Sequence, residues 1–320
     1  MGNDIEQDGK NFQHKSYWKT LSIIHYAAAI AALFHDFGKA NCSFANRINP
    51  KIKSALEPYR HEWISLRLFQ AFAKNSSDDE WLAKLERSDF SGILSYIKDG
   101  IDSDDSHPFN GLAPVAQLVA WLILSHHKLP SYPYFDKRNR PSFQYSNTWI
   151  DDLSAIWNSP SCNESIPNWK LIENWQISSF GLPNQSPQWC SYACALAIKA
   201  RQELIPLLDK QLLDKQDILH QDLFSSHLAR LALMLADHHF SSLDYQASQQ
   251  QGLRSDNYPV YANTYSTEAG GKAYKQQLDE HLIGVATHAE RISQALLHLK
   301  TELPGLKRNH FLQENVAANQ

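Results

Sequence analysis

Residues 17–35 read YWKTLSIIHYAAAIAALFH, rich in Ala and Leu and free of Gly and Pro. A helix that is apolar on every side has no solvent face, so it belongs inside the molecule. Its end constrains the fold further. The helix finishes on His35 and Asp36, and Gly38 stops it. Polar groups carried into an interior cost on the order of several kcal/mol each if nothing answers them. The rest of the chain must therefore bring partners to that point.

The same pattern recurs. His61 precedes the hydrophobic stretch of YRHEWISLRLF, His126 and His127 end WLILSHH, and Asp237 lies near the end of LALMLADHHFSS. Each is a metal-ligand residue type attached to a strongly apolar helix, and a shared metal centre satisfies all of them at once. Neighbours on a helix point about 100° apart. Two adjacent ligands therefore suit a helix end or a site with two metals, where a carboxylate such as Asp36 can bridge both. Imidazole with carboxylate suits Mn, Fe, Co, Ni or Zn rather than Mg or Ca. Two cations about 3.5–4 Å apart are the usual means of phosphodiester cleavage.

The chain has 320 residues, with 15 His, 2 Met, 12 Gly and 14 Pro. So little Gly and Pro favours long helices over many short strands. Helices are expected over 17–35, over 54–74 from after Pro58, and once or twice within 79–99. Further helices are expected from Pro114 to the histidine pair before Pro130, then over 192–217, 222–241 and 273–301. An irregular insertion is expected over 129–190 and a loop over 246–271. Residues 1–15 read as a flexible N-terminus and 303–320 as a linker-like tail, leaving one all-α domain over 16–302. The formal charge is −4, which excludes a globally basic nucleic-acid binder but not a local basic patch. Cys42, Cys162, Cys190 and Cys194 form no CxxC pair; Cys190 and Cys194 read as small buried side chains on one helix face. The polar first twenty residues show no signal peptide, and Tyr26–Phe34 is too short to span a bilayer, so a cytoplasmic protein with no membrane partner is expected.

The order His-Asp, His, His-His, Asp resembles the HD phosphohydrolase superfamily. Within it, AALFHDFGKANCSFANRI, YRHEWISLRLFQAF and LILSHHKLP look closest to the HD nuclease domain of the CRISPR-associated helicase–nuclease of type I systems, in its type I-F branch. The resemblance covers roughly residues 20–300. It implies an HD-domain helical bundle and metal-dependent cleavage of single-stranded DNA, the strand displaced by a crRNA-guided surveillance complex. It implies two divalent transition metal ions, with Mn, Fe, Co or Ni ahead of Zn or Mg. Carried over, His35 and Asp36 are the signature dyad, His61, His126 and His127 bind the second metal, and Asp237 closes the shell of the first. Asp36 and Lys39 are the catalytic pair, the lysine touching a phosphate oxygen. The implied partners are a helicase domain normally fused C-terminally, the type I-F surveillance complex and the spacer-integration machinery.

The sequence departs from that pattern in two ways. The family usually has one more ligand histidine on a helix well before the dyad. Here only His14 and His25 precede it; His14 sits in a polar segment and His25 is not on the helix face of His35. No GxxxxGK[ST] loop is present, so the chain reads as a nuclease domain without its motor. After His127, Lys128, Lys137, Arg138 and Arg140 interleave with aromatic residues that include Tyr132 and Tyr134, cations for phosphates and rings for unstacked bases. His238 and His239 read as helix-end or supporting groups, and His281, His288 and His298 as part of a solvated face. Two rival readings share these residues: an HD phosphohydrolase acting on a small nucleotide, and a non-catalytic module that docks a partner.

Overall fold

The computed structural model describes residues 21–52, 57–102, 107–131, 134–142, 149–159, 166–209, 222–244 and 258–296. The segments 1–15 and 303–320, with His14, Tyr132 and Cys162, lie outside them.

The described residues form an all-α helical bundle with one small hairpin. Helix α1 (21–34) runs into a 3-10 turn, Phe37–Ala40, followed by α2 (Cys42–Ile48), α3 (His61–Ala73), α4 (Asp78–Glu86) and α5 (Pro114–Ser125). Then come α6 (Asn168–Trp175), α7 (Pro187–Asp209), α8 (Leu223–Ser242), strands β1 (Thr264–Ser266) and β2 (Lys272–Tyr274), and α9 (Leu278–Ala295). The strands pair antiparallel, Thr264 with Tyr274 and Ser266 with Lys272.

Helix α1 is the buried centre that its composition demands: every side chain from Ala27 to Phe34 is inaccessible to solvent. By length and composition the stretch Leu21–Ala40 is apolar enough to cross a membrane, yet 83% of its most apolar window is buried inside this protein. An aromatic cluster closes around its end, with Phe34 against Phe37, Phe69, Phe72 and Trp189 at ring separations of 4.7–5.6 Å. Helices α8 and α9 pack side by side, as do α3 and α5 and α4 and α7. Gly284 permits the first of these contacts, since a Cβ there would fall 2.2 Å from the ring of Phe240.

Helix α5 is capped at both ends by side chains from other helices. Asp78, the first residue of α4, accepts from the backbone N–H groups of Val115 and Ala116, both at 3.1 Å. At the other end Arg230 of α8 donates twice to the Ser125 carbonyl, at 2.9 and 2.7 Å. The groups that a helix leaves unsatisfied at its termini are thus met in the interior.

Four expectations are sharpened or corrected. Within 79–99 only Asp78–Glu86 is helical, because Ser88 and Gly92 take φ of 52° and 87°, which break the helical path. The irregular insertion ends earlier, since α7 starts at Pro187, a residue pre-set for a first helical turn. The loop over 246–271 and the first residues of the expected last helix contain the β1–β2 hairpin, with Gly270 at φ 79° in its turn. Cys190 and Cys194 are half-buried rather than buried.

Candidate metal centre

The buried helix α1 delivers His35 and Asp36 to one point, and the ends of four other helices meet it there. His61 is the first residue of α3, His126 and His127 follow the last residue of α5, Asp237 lies in the last two turns of α8, and His281 in the first turn of α9. Gly38 makes the approach possible. A Cβ at that position would fall 2.2 Å from the carbonyl oxygen of His61, and its N–H donates to Ser65 Oγ at 2.8 Å. The 3-10 turn can therefore lie directly on the start of α3.

Asp36 is the hub. Its Oδ1 lies 3.1 Å from His61 Nε2 and 3.9 Å from His126 Nε2. Its Oδ2 lies 3.3 Å from His35 Nε2, 3.2 Å from His281 Nε2 and 2.6 Å from Lys39 Nζ. Asp237 Oδ1 completes the second side, 3.4 Å from His281 Nε2 and 3.9 Å from His35 Nε2. Among the described residues two sets of ligand atoms lie within 4.8 Å of one another. One is Asp36 with His61, His126 and His127; the other is His35 with Asp237 and His281. All are buried except His127, which is exposed at the edge.

The rings are aimed. His35 Nδ1–H donates to the Ala32 carbonyl and His126 Nδ1–H to the Ile123 carbonyl, both at 2.7 Å. These carbonyls belong to last turns, where no helical N–H is available to them. His281 Nδ1–H donates to Gln276 Oε1 at 3.1 Å. In each case a proton fixed on Nδ1 directs Nε2 into the cluster. The Nε2 atoms of His35, His61, His126 and His281 and Oδ1 of Asp36 are buried without a hydrogen-bond partner, and Asp36 Oδ2 has the Lys39 ammonium beside it. So many orphaned groups facing one another fit a donor set for cations, and five imidazoles with two carboxylates suit borderline transition metals.

Electrostatics agree. Burial alone would raise the Asp36 and Asp237 carboxyls. For Asp36 the charges of His35 and Lys39 and the closeness of His281 outweigh it, and for Asp237 the closeness of His281 and the charge of His35 do. Both are held well below the usual carboxylate range. Burial, with His127 and His35 alongside, pushes His126 well below the ordinary imidazole value, so it stays neutral and able to donate its lone pair.

Every expected ligand within the described residues is thus brought to one place: His35, Asp36, His61, His126, His127 and Asp237. His281 is an addition, and the expectation of a solvated face fails for it. It is fully buried because α9 carries an apolar stripe of Leu278, Leu282, Val285 and Ala289, and position 281 falls on that stripe. Marking the helical spacing from Leu278 reveals it. His25 is directed elsewhere, to Ser293 at 2.8 Å and Glu290 at 3.5 Å. His238 and His239 are exposed, and the ring of His239 packs on His288. Lys128, Lys137, Arg138 and Arg140 are all exposed, with Arg140 paired to Asp136 at 2.9 Å across a tight turn closed by the Phe135–Pro141 bridge. Tyr134 donates to Asp152.

Architecture and site together mark a class: an all-α bundle that gathers His and Asp side chains around the His35–Asp36 pair at the end of one buried helix. No family model matches the chain. Among curated proteins it is 35% identical over 316 residues to the CRISPR-associated nuclease/helicase Cas3 subtype I-F/YPEST of Pectobacterium atrosepticum, covering 96% of this chain and 27% of that protein. It is 36% identical over 300 residues to the protein of the same description from Pseudomonas aeruginosa, covering 91% of this chain and 26% of the relative. The chain spans about a quarter of the length of the curated relatives it matches. It is related, over nearly all of its own length, to one part of the Cas3 nuclease/helicases of subtype I-F/YPEST.

Proposed function

We propose that this chain is a metal-dependent nuclease domain that hydrolyses single-stranded DNA in CRISPR interference. The observation that carries the reading is the convergence of His35, His61, His126 and His281 on the two carboxylate oxygens of Asp36, with His127 and Asp237 alongside. The printed description of both relatives as nuclease/helicases supports the reaction class. Asp36, His61, His126 and His127 would hold one divalent cation, and His35, Asp237 and His281 would hold the other. The chemistry such a pair of ions would supply is activation of water at neutral pH and neutralisation of phosphate charge. The remaining work belongs to the chain. The backbone carbonyls of Ala32 and Ile123 hold two rings in orientation, and the buried wall of α1 excludes bulk water from one side. Lys39 places a positive charge beside the centre for a phosphate oxygen.

The strand reaches the site across the exposed basic residues Lys128, Lys137 and Arg138 after His127. With a net charge of −4 the domain binds DNA weakly by itself, so its affinity is local and lost at high salt. The setting we assign is cytoplasmic. The partners are a helicase domain fused C-terminally, a type I-F crRNA surveillance complex that displaces the strand, and the spacer-integration machinery.

Circular single-stranded DNA tests this. With Mn, Co or Ni the protein nicks the circle, and Asp36→Ala abolishes nicking. Metal-loaded protein that leaves the DNA intact while hydrolysing members of a nucleotide panel makes it a nucleotide phosphohydrolase instead.

A further inference from the structure

The three rings fixed through Nδ1 are not fixed in the same way. His35 and His126 use carbonyls of the last turn of their own helices, which no substitution can remove. His281 stands in the first turn of α9, where the carbonyls are already committed to the helix, so its acceptor has to come from outside. That acceptor is the side chain of Gln276, itself fully buried.

Every polar atom of the Gln276 side chain is used. Oε1 accepts from His281 Nδ1 at 3.1 Å and from Asn263 Nδ2 at 2.7 Å. Nε2 donates to the Phe240 carbonyl at 2.8 Å, in the last turn of α8 and one turn beyond Asp237. Asn263 closes the loop, its Oδ1 accepting from the Gln276 backbone N–H at 3.1 Å. The donation to Phe240 fixes which end of the amide faces His281: with the NH2 committed to a carbonyl, only an oxygen can meet the ring. One side chain thus joins the end of α8, the base of the β1–β2 hairpin and the start of α9. The two ligands it spans, Asp237 and His281, lie 3.4 Å apart.

We propose that Gln276 is a positioning residue of the metal centre: it holds the His281 ring with its proton on Nδ1 and sets its distance to Asp237, making the hairpin part of the site's support. The inference rests on the metal reading above and concerns only the half of the centre formed by His35, Asp237 and His281. Loss of a group that orients a ligand histidine weakens a metal by about 10–100-fold.

The test is a Co2+ titration of the metal-free chain followed by visible absorption, with nitrogen NMR of the histidines. Wild type takes up two ions. Gln276→Leu weakens one of them about 10–100-fold and leaves the other. Because it acts through His281, the same change adds nothing in a His281→Ala background. Equal weakening of both ions, no weakening, or a further tenfold loss on top of His281→Ala overturns the proposal while leaving the metal reading standing. A wild type that takes up no Co2+ overturns the metal reading and the proposal with it. Should Gln276→Leu not fold, wild type decides alone. His281 must show a slowly exchanging proton on Nδ1 in the metal-free protein, and an unprotonated Nδ1 sinks the inference.

Discussion

A methyl group at position 38 would occupy the space of the His61 carbonyl oxygen, 2.2 Å away. Neither atom can give, because one belongs to the turn that carries Asp36 and the other to the helix that starts with His61. Gly38→Ala must therefore push the 3-10 turn off α3. Such overpacking costs about 1–3 kcal/mol, and it lands on the Asp36–His61 contact of 3.1 Å. Denaturant unfolding is expected to show that loss, together with at least tenfold weaker Co2+ binding. A variant with wild-type metal affinity would show that the close approach is not needed. The same scale explains what sequence could reveal about the site. Six of the seven gathered residues sit beside apolar runs, so the mismatch between polar residue and apolar helix exposes them. His281 is surrounded in sequence by Asp279, Glu280 and Glu290, which disguise its place on the buried stripe. Gln276 falls inside the helix expected over 273–301 but lies just before α9 begins, and only the folded chain shows what it touches.

At the scale of elements, α5 is the most dependent helix in the bundle. It begins with Pro114 and has no side chain of its own to cap it, and its carbonyl end carries His126 and His127 of the candidate centre. Asp78 performs the capping from α4, while also accepting from Trp81 Nε1 at 2.7 Å. Asp78→Ala strands two backbone N–H groups and an indole N–H in a site where Asp78 itself is only 6% exposed. Each buried unsatisfied donor costs about 1–3 kcal/mol, so an overall loss of about 3 kcal/mol is expected by denaturant unfolding. A loss below about 1 kcal/mol means water reaches those groups instead. Long helices were legible because their hydrophobic period is sustained over several turns. The hairpin was not: three residues per strand give too short a run for alternation to register, and its aromatic pair, Tyr261 stacked on Tyr274 at 4.4 Å, forms only once the chain has turned back. Segment 87–99 lost its helix to the positive φ of Ser88, a residue whose identity gives no warning.

Across the whole molecule, the centre ties together residues 35 and 281, and with them five helices that are distant in sequence. Without a cation, two buried carboxylates face four buried imidazole nitrogens and one lysine, an arrangement whose polar atoms are largely unsatisfied. A cation that binds only this folded arrangement adds stability by mass action, about 2.7 kcal/mol at a hundred times its dissociation constant. For a chain of this size that corresponds to a rise in Tm of about 5 °C. Scanning calorimetry with excess Mn2+ against excess chelator is expected to show the increment in wild type. Asp36→Ala, which removes the shared carboxylate, should lose most of it. The sign in the variant without metal is informative as well. Removing a buried charge from among imidazoles relieves one penalty and strands Lys39, so its metal-free Tm should move little compared with the lost increment. If wild type and Asp36→Ala gain equally from Mn2+, the ion is bound elsewhere, and the converging histidines are a structural feature of the core rather than its engine.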